Sequence, residues 1–228
     1  MTLVVRAFPV RGREGVEALA REMHERSAEA RAFYTHFGVR REAWFYQQAG
    51  DTSVVIGVTD IKDPVEPKAA EYAAALDGFA SWLKARVFAL SGVDPDVAPL
   101  GPPTVKVHDS ADGSLRPRAT LVVRAYPLHS REALATFVSE LQERPAELRG
   151  FYDRHGVEES WFVQEIGDGP MAIAVASTDD PARAARTYAE SAEPFDLWFK
   201  QRVIEVSGVD PNVTPLGPPS EQMFDFEE

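Results

Sequence analysis

Arg6 and Arg124 are the only charged residues in two otherwise apolar runs, Leu3-Val4-Val5-Arg6-Ala7-Phe8 and Leu121-Val122-Val123-Arg124-Ala125-Tyr126. A guanidinium among β-branched neighbours suits the capture of an anionic or enolate oxygen, because its donors form a rigid fork. The plainer reading is an ion pair with an Asp or Glu, since structural pairs also bury arginines. His36 and His155 follow Tyr34 and Tyr152 at the turn from a helix to a strand and could move a proton there; unremarkable turn histidines are the commoner case. Trp44, Trp161 and Tyr46 could line a pocket for a planar ligand, although large aromatics more often fill cores. His24, His36, His108, His129 and His155 do not recur at matched positions, no two have metal-ligand spacing, and there is no cysteine. No metal or other cofactor is therefore expected, and haem stays a minor alternative. A Gly-rich phosphate loop, a nucleophile elbow and a carboxylate pair of telling spacing are also missing from the sequence.

These residues come in pairs because the chain repeats itself. Leu3 to Pro9 returns as Leu121 to Pro127, Phe33-Tyr34 as Phe151-Tyr152, Trp44-Phe45 as Trp161-Phe162, and Trp82 and Lys84 as Trp198 and Lys200. The closing segment Ser91-Gly92-Val93-Asp94-Pro95 returns as Ser207-Gly208-Val209-Asp210-Pro211, and both are followed by Pro-Leu-Gly-Pro-Pro. The spacing slips by one residue at two places, which turns tolerate.

Each copy predicts the same elements. Leu3 to Phe8 alternates as a strand, with Pro9 as its terminator. Val16, Leu19, Ala20 and Met23 share one face of a helix, as do Leu134, Phe137, Val138 and Leu141, where Ser130 is an N-cap. Pro145 breaks that helix ahead of a second short one. Arg41 to Gln48 and Thr52 to Thr59 are strands about a Gly50-Asp51 turn. One long helix carries Tyr72, Leu76, Phe79, Leu83, Val87 and Leu90, and Gly92 closes it. A proline-rich strap follows, with fourth strands at Val105–His108 and Met223–Phe226. The order is β-α-β-β-α-(β), a ferredoxin-like α+β unit with both helices on one sheet face. The expected division is 1–108 for the first repeat, 109–119 for a linker and 120–228 for the second. Two such units can cover their open faces by packing sheet to sheet, as a pseudo-two-fold α+β barrel with a cleft inside. If Leu3, Val5 and Ala7 face the helices, Arg6 and Arg124 point into that barrel.

Over nearly its whole length the chain resembles the dimeric α+β barrel superfamily, in tandem-fused form. The resemblance rests on the arginine-bearing first strands, the Phe-Tyr helix ends, the Trp-Phe strands, the Gly-Asp hairpins and the aromatic stretch Phe195-Asp196-Leu197-Trp198-Phe199-Lys200. It implies a small-molecule ligand and a monomer that is a fused pseudo-dimer, with higher oligomers left open. It also implies one of two functions. One is a cofactor-independent monooxygenase, cyclase or isomerase acting on an aromatic or polyketide-like molecule; the other is a non-catalytic binding or structural barrel.

Composition narrows the partners. The 228 residues carry 24 Lys and Arg against 36 Asp and Glu, a formal net charge of −12. Such a chain repels nucleic acid and anionic membrane surfaces unless it has a basic stripe. The candidate arginines between Arg11 and Arg31 are interleaved with glutamates, as on a solvated helix. No apolar run approaches membrane-spanning length and no signal peptide opens the chain, so a cytoplasmic location is expected. One specialised pocket would show as polar groups in one half without counterparts in the other. Tyr46 against Val163 and His36 against Arg154 are differences of that kind, too few to decide between the two functions.

Overall fold

The computed structural model describes residues 2–49, 52–76, 78–110, 119–167 and 169–228. Its elements are β1 (Thr2–Val10), α1 (Arg13–Glu25), α2 (Ser27–His36), β2 (Val39–Ala49), β3 (Thr52–Ile61), α3 (Val65–Ala74), α4 (Gly78–Ser91) and β4 (Val105–Asp109). The series repeats as β5 (Thr120–Pro127), α5 (Arg131–Gln142), α6 (Pro145–His155), β6 (Val157–Ile166), β7 (Gly169–Thr178), α7 (Pro181–Glu190), α8 (Pro194–Ser207) and β8 (Ser220–Glu227). The class is α+β, with two antiparallel four-stranded sheets ordered β1-β3-β2-β8 and β4-β6-β7-β5. The Gly50-Asp51 turn and linker residues 111–118 lie outside the described residues, and so does Asp168. No helix among the described residues is long and apolar enough to cross a membrane.

The compact units do not coincide with the repeats. One comprises Met1–Thr104 with Glu221–Glu228, the other Val105–Ser220. Both expected fourth strands form, but β4 pairs with β6 and β8 lies beside β2. Each unit thus completes its sheet with a strand from the tail of the other repeat. In the first unit Phe224 and Phe226 of β8 enter the core, and Arg41 makes a two-pronged ion pair with Asp225, Nη2 to Oδ2 at 2.9 Å.

Three expectations need correction. The single long helix is two in each half. Ala75 and Ser191 are extended, and the next helix restarts at Gly78 or at Pro194, whose ring cannot continue a helix but fits its first turn. Leu76 falls in that break and is 83% exposed. Pro9 does not end its strand: β1 is an edge strand, where a missing N–H costs no ladder bond, and Pro9 pairs with Val54. Finally, it is the arginine face of the first strand that lies under the helices. Val4 and Val55 share a core with Val16, Leu19 and Met23 of α1, while Val5, Ile56 and Val58 on the opposite face are fully buried.

Other local expectations hold. Val16, Leu19, Ala20 and Met23 are the buried face of α1, and Ser130 caps α5 by accepting from the Ala133 N–H. Arg26 and Arg144, at the α1–α2 and α5–α6 junctions, stack over Trp82 and Trp198 at 4.2 Å. The cation–π contact thus recurs together with the tryptophan pair.

Candidate functional site

Each unit encloses its own cavity between the helix-bearing face of its sheet and the helices. The first measures about 190 Å³ and the second about 120 Å³. An apolar cavity of roughly 150 Å³ takes a benzene ring, so these volumes suit ring-sized groups. The floor comes from alternate strand residues: Val4, Arg6 and Phe8 of β1 with Glu42 and Trp44 of β2, and Val122, Arg124 and Tyr126 of β5 with Glu159 and Trp161 of β6. Tyr34 and Tyr72, or Tyr152 and Tyr188, descend from the helices. The strap forms one wall, with Pro99, Leu100 and Gly101 or Pro215, Leu216 and Gly217. Gly101 and Gly217 have φ of 79° and 81°, and a Cβ on either would overlap the ring of Phe8 or Tyr126. Glycine is required there both for the backbone turn and for the close approach.

The polar centre of each cavity is a glutamate. Glu42 accepts hydrogen bonds from Trp44 Nε1 at 2.7 Å and Thr59 Oγ1 at 2.6 Å. Glu159 accepts from Tyr152 Oη at 3.3 Å and from the Trp161 indole. Neither has an ion-pair partner among the described residues. Burial pushes both carboxyls up to about 7, against the hydrogen bonds, which favour the charged form. Burial together with the nearby carboxylate raises the phenols of Tyr34, Tyr72, Tyr152 and Tyr188, so these stay protonated donors.

The arginines line the cavities with no ion-pair partner among the described residues. Arg6 Nη1 donates to the Val5 carbonyl and to Thr104 Oγ1; Arg124 Nη1 donates to the Val123 carbonyl and to Ser220 Oγ. The Nε of each is buried with no hydrogen-bond partner, and burial pulls both guanidinium groups below their ordinary value. Thr104 and Ser220 are the last residues before the chain leaves each unit, so both arginines clamp that exit.

The other candidates separate. Tyr34, Tyr152, Trp44, Trp161 and His155 line cavities. His36 is exposed and pairs with Glu71 at 2.7 Å. Tyr46 lines neither cavity and bonds Ser53 Oγ at 3.0 Å. His155 is held by Asp196 at 2.9 Å and Thr187 at 3.1 Å, and burial keeps it below the usual histidine range in spite of Asp196. Among the described residues no three His, Asp or Glu side chains are placed to hold a metal. Sequence reasoning missed Glu42 and Glu159. Their signal was visible in the matched Glu-x-Trp-Phe of Glu42 to Phe45 and Glu159 to Phe162, which places a carboxylate on the strand face of a buried tryptophan.

No family model matches the chain, and neither does any curated protein. Among solved structures, one titled as a crystal structure study of an anthrone oxidase-like protein superimposes with a TM-score of 0.49 at 13% identity, covering 96% of this chain and 89% of that one.

Proposed function

We propose that the protein is a cofactor-independent monooxygenase, cyclase or isomerase of aromatic or polyketide-like carbonyl compounds, in which a buried glutamate removes a proton from the substrate. The observation that carries this reading is the carboxyl at the floor of each apolar cavity, titrating at about 7 beside protonated tyrosines. A general base works best when its affinity for the proton matches the working pH, and burial without a cation produces that match. The step breaks a C–H bond next to a carbonyl, forms the Glu O–H bond and leaves the electron pair on the substrate as an enolate. A tyrosine O–H or the unpartnered Nε of Arg6 or Arg124 then meets the enolate oxygen. The walls are aromatic, which suits a planar substrate.

Deuterium wash-in from D2O into 2-tetralone, an enolisable benzo-fused cyclic ketone, tests the reading. The protein should accelerate exchange, with half-maximal rate near pH 7. The Glu42→Gln/Glu159→Gln double variant should lose about 100-fold or more. Exchange no faster than in buffer would overturn it. Tryptophan quenching by the ketone without exchange would instead make the cavities binding chambers.

A further inference from the structure

The two cavities are not equivalent, and the difference lies in the exchanged strands. His108 of β4 places Nε2 2.8 Å from Tyr152 Oη, which in turn lies 3.3 Å from Glu159 Oε2. The His108 ring also lies 4.6 Å from Trp161. In the first unit Phe224 of β8 occupies the corresponding place, 4.5 Å from Trp44 and 6.4 Å from Tyr34. No hydrogen bond joins Tyr34 to an imidazole among the described residues, and Glu42 is held instead by Thr59.

We propose that His108, Tyr152 and Glu159 form a proton relay that connects the second cavity to solvent. The inference rests on the general-base reading above. A base that has taken a proton at the floor of a deep, mostly apolar, half-open cavity must pass it on before it can act again. Here the Glu159 O–H gives its proton to Tyr152 Oη as Tyr152 gives its own to His108 Nε2, and the half-buried imidazole on edge strand β4 releases one to water. Each residue gains one proton and loses one, His108 taking it at Nε2 and releasing one from Nδ1, and no co-reactant is needed. His108 is suited to accept because burial, opposed by Asp109, pushes it down to about 4 and leaves it neutral at pH 7. His108 does not touch the substrate and is a positioning residue for proton flow.

Around the relay the titratable groups are Asp109 on β4, Arg124 and Tyr126 on β5, and Tyr188 on α7. His108→Gln keeps a hydrogen-bonding group against Tyr152, so it preserves a merely structural role, but it carries no proton. The expected result in the 2-tetralone wash-in is a loss of about tenfold or more in His108→Gln, with the ketone dissociation constant unchanged and with partial rescue by added imidazole. Glu159→Gln should be inactive and beyond rescue. A wild-type rate in His108→Gln with Glu159→Gln inactive would overturn the relay and leave the general base standing. A measurement free of substrate separates the two ideas further. By carboxyl carbon NMR, His108→Phe should shift the pH at which Glu159 titrates, by changing where the Tyr152 O–H points, and leave Glu42 unmoved. If Glu159 also stays unmoved, the relay fails whatever the ketone does.

Discussion

Glu42 is half-buried with no ion-pair partner among the described residues, and its effect on stability has a definite sign. Burial raises its folded-state affinity for the proton from the ordinary 4.5 to about 7. The folded state therefore binds more protons than the unfolded one between those values. The contribution is fully present below pH 4.5 and is lost as pH rises through 7. Replacing Glu42 by Gln should accordingly narrow the fall in stability between pH 5 and 8, by up to about 3 kcal/mol. Urea melts of both proteins across that range would show it, and parallel curves would contradict it. His108 acts with the opposite sign, since its depressed value removes stability as pH falls from 6.5 towards 4, but it contributes equally to both melts and cancels. Trp161→Ala should cost about 3 kcal/mol, the low end for a large buried aromatic because one side of the ring already faces a cavity; a loss under about 1 kcal/mol in urea would mean the ring is not part of the core. The arginines were conspicuous in the sequence because charge is rare in a first strand. Glu42 was not, because a carboxylate in an alternating strand ordinarily marks the solvent side, and only its fixed place before a repeated tryptophan sets it apart.

At the scale of elements the straps and helix breaks differ in what they announce. Pro194 marks the start of α8, whereas nothing as strong marks α4, and an apolar pattern running from Tyr72 to Leu90 reads as one helix. Periodicity cannot register that a single extended residue, Ala75, turns Leu76 outwards. Leu76→Ser should therefore change stability by less than about 0.5 kcal/mol, as at other exposed positions, and a thermal melt shifted by several degrees would place Leu76 in a contact. The strap is the less tolerant element. Gly101→Ala forces a side chain into the left-handed region and into the Phe8 ring, and is expected to destabilise by about 1–3 kcal/mol in denaturant melts. Its Pro-Leu-Gly-Pro-Pro sequence shows an extended, kinked segment but not what lies beneath it, since the contact spans more than ninety residues of chain.

At the scale of the molecule the exchanged tails decide what can fold. The duplication was plain from the residues and so was the ferredoxin-like order of each half. The exchange was not, because strand pairing depends on where a tail travels and local patterns carry no such address. Deleting residues 221–228 removes Phe224, Phe226 and the Asp225 partner of Arg41, all belonging to the first unit. Amide exchange should then accelerate in β1, β2 and β3 while β5, β6 and β7 stay protected; uniform acceleration would argue against this assignment of β8. Residues 1–104 joined directly to 221–228 should retain more protection than 1–110. The same crossing ties the repeats together. His108, in the tail of the first repeat, lies against the aromatic lining of the second cavity, and Phe224, in the tail of the second, lies against that of the first. A chain that lost either repeat would keep neither four-stranded sheet complete.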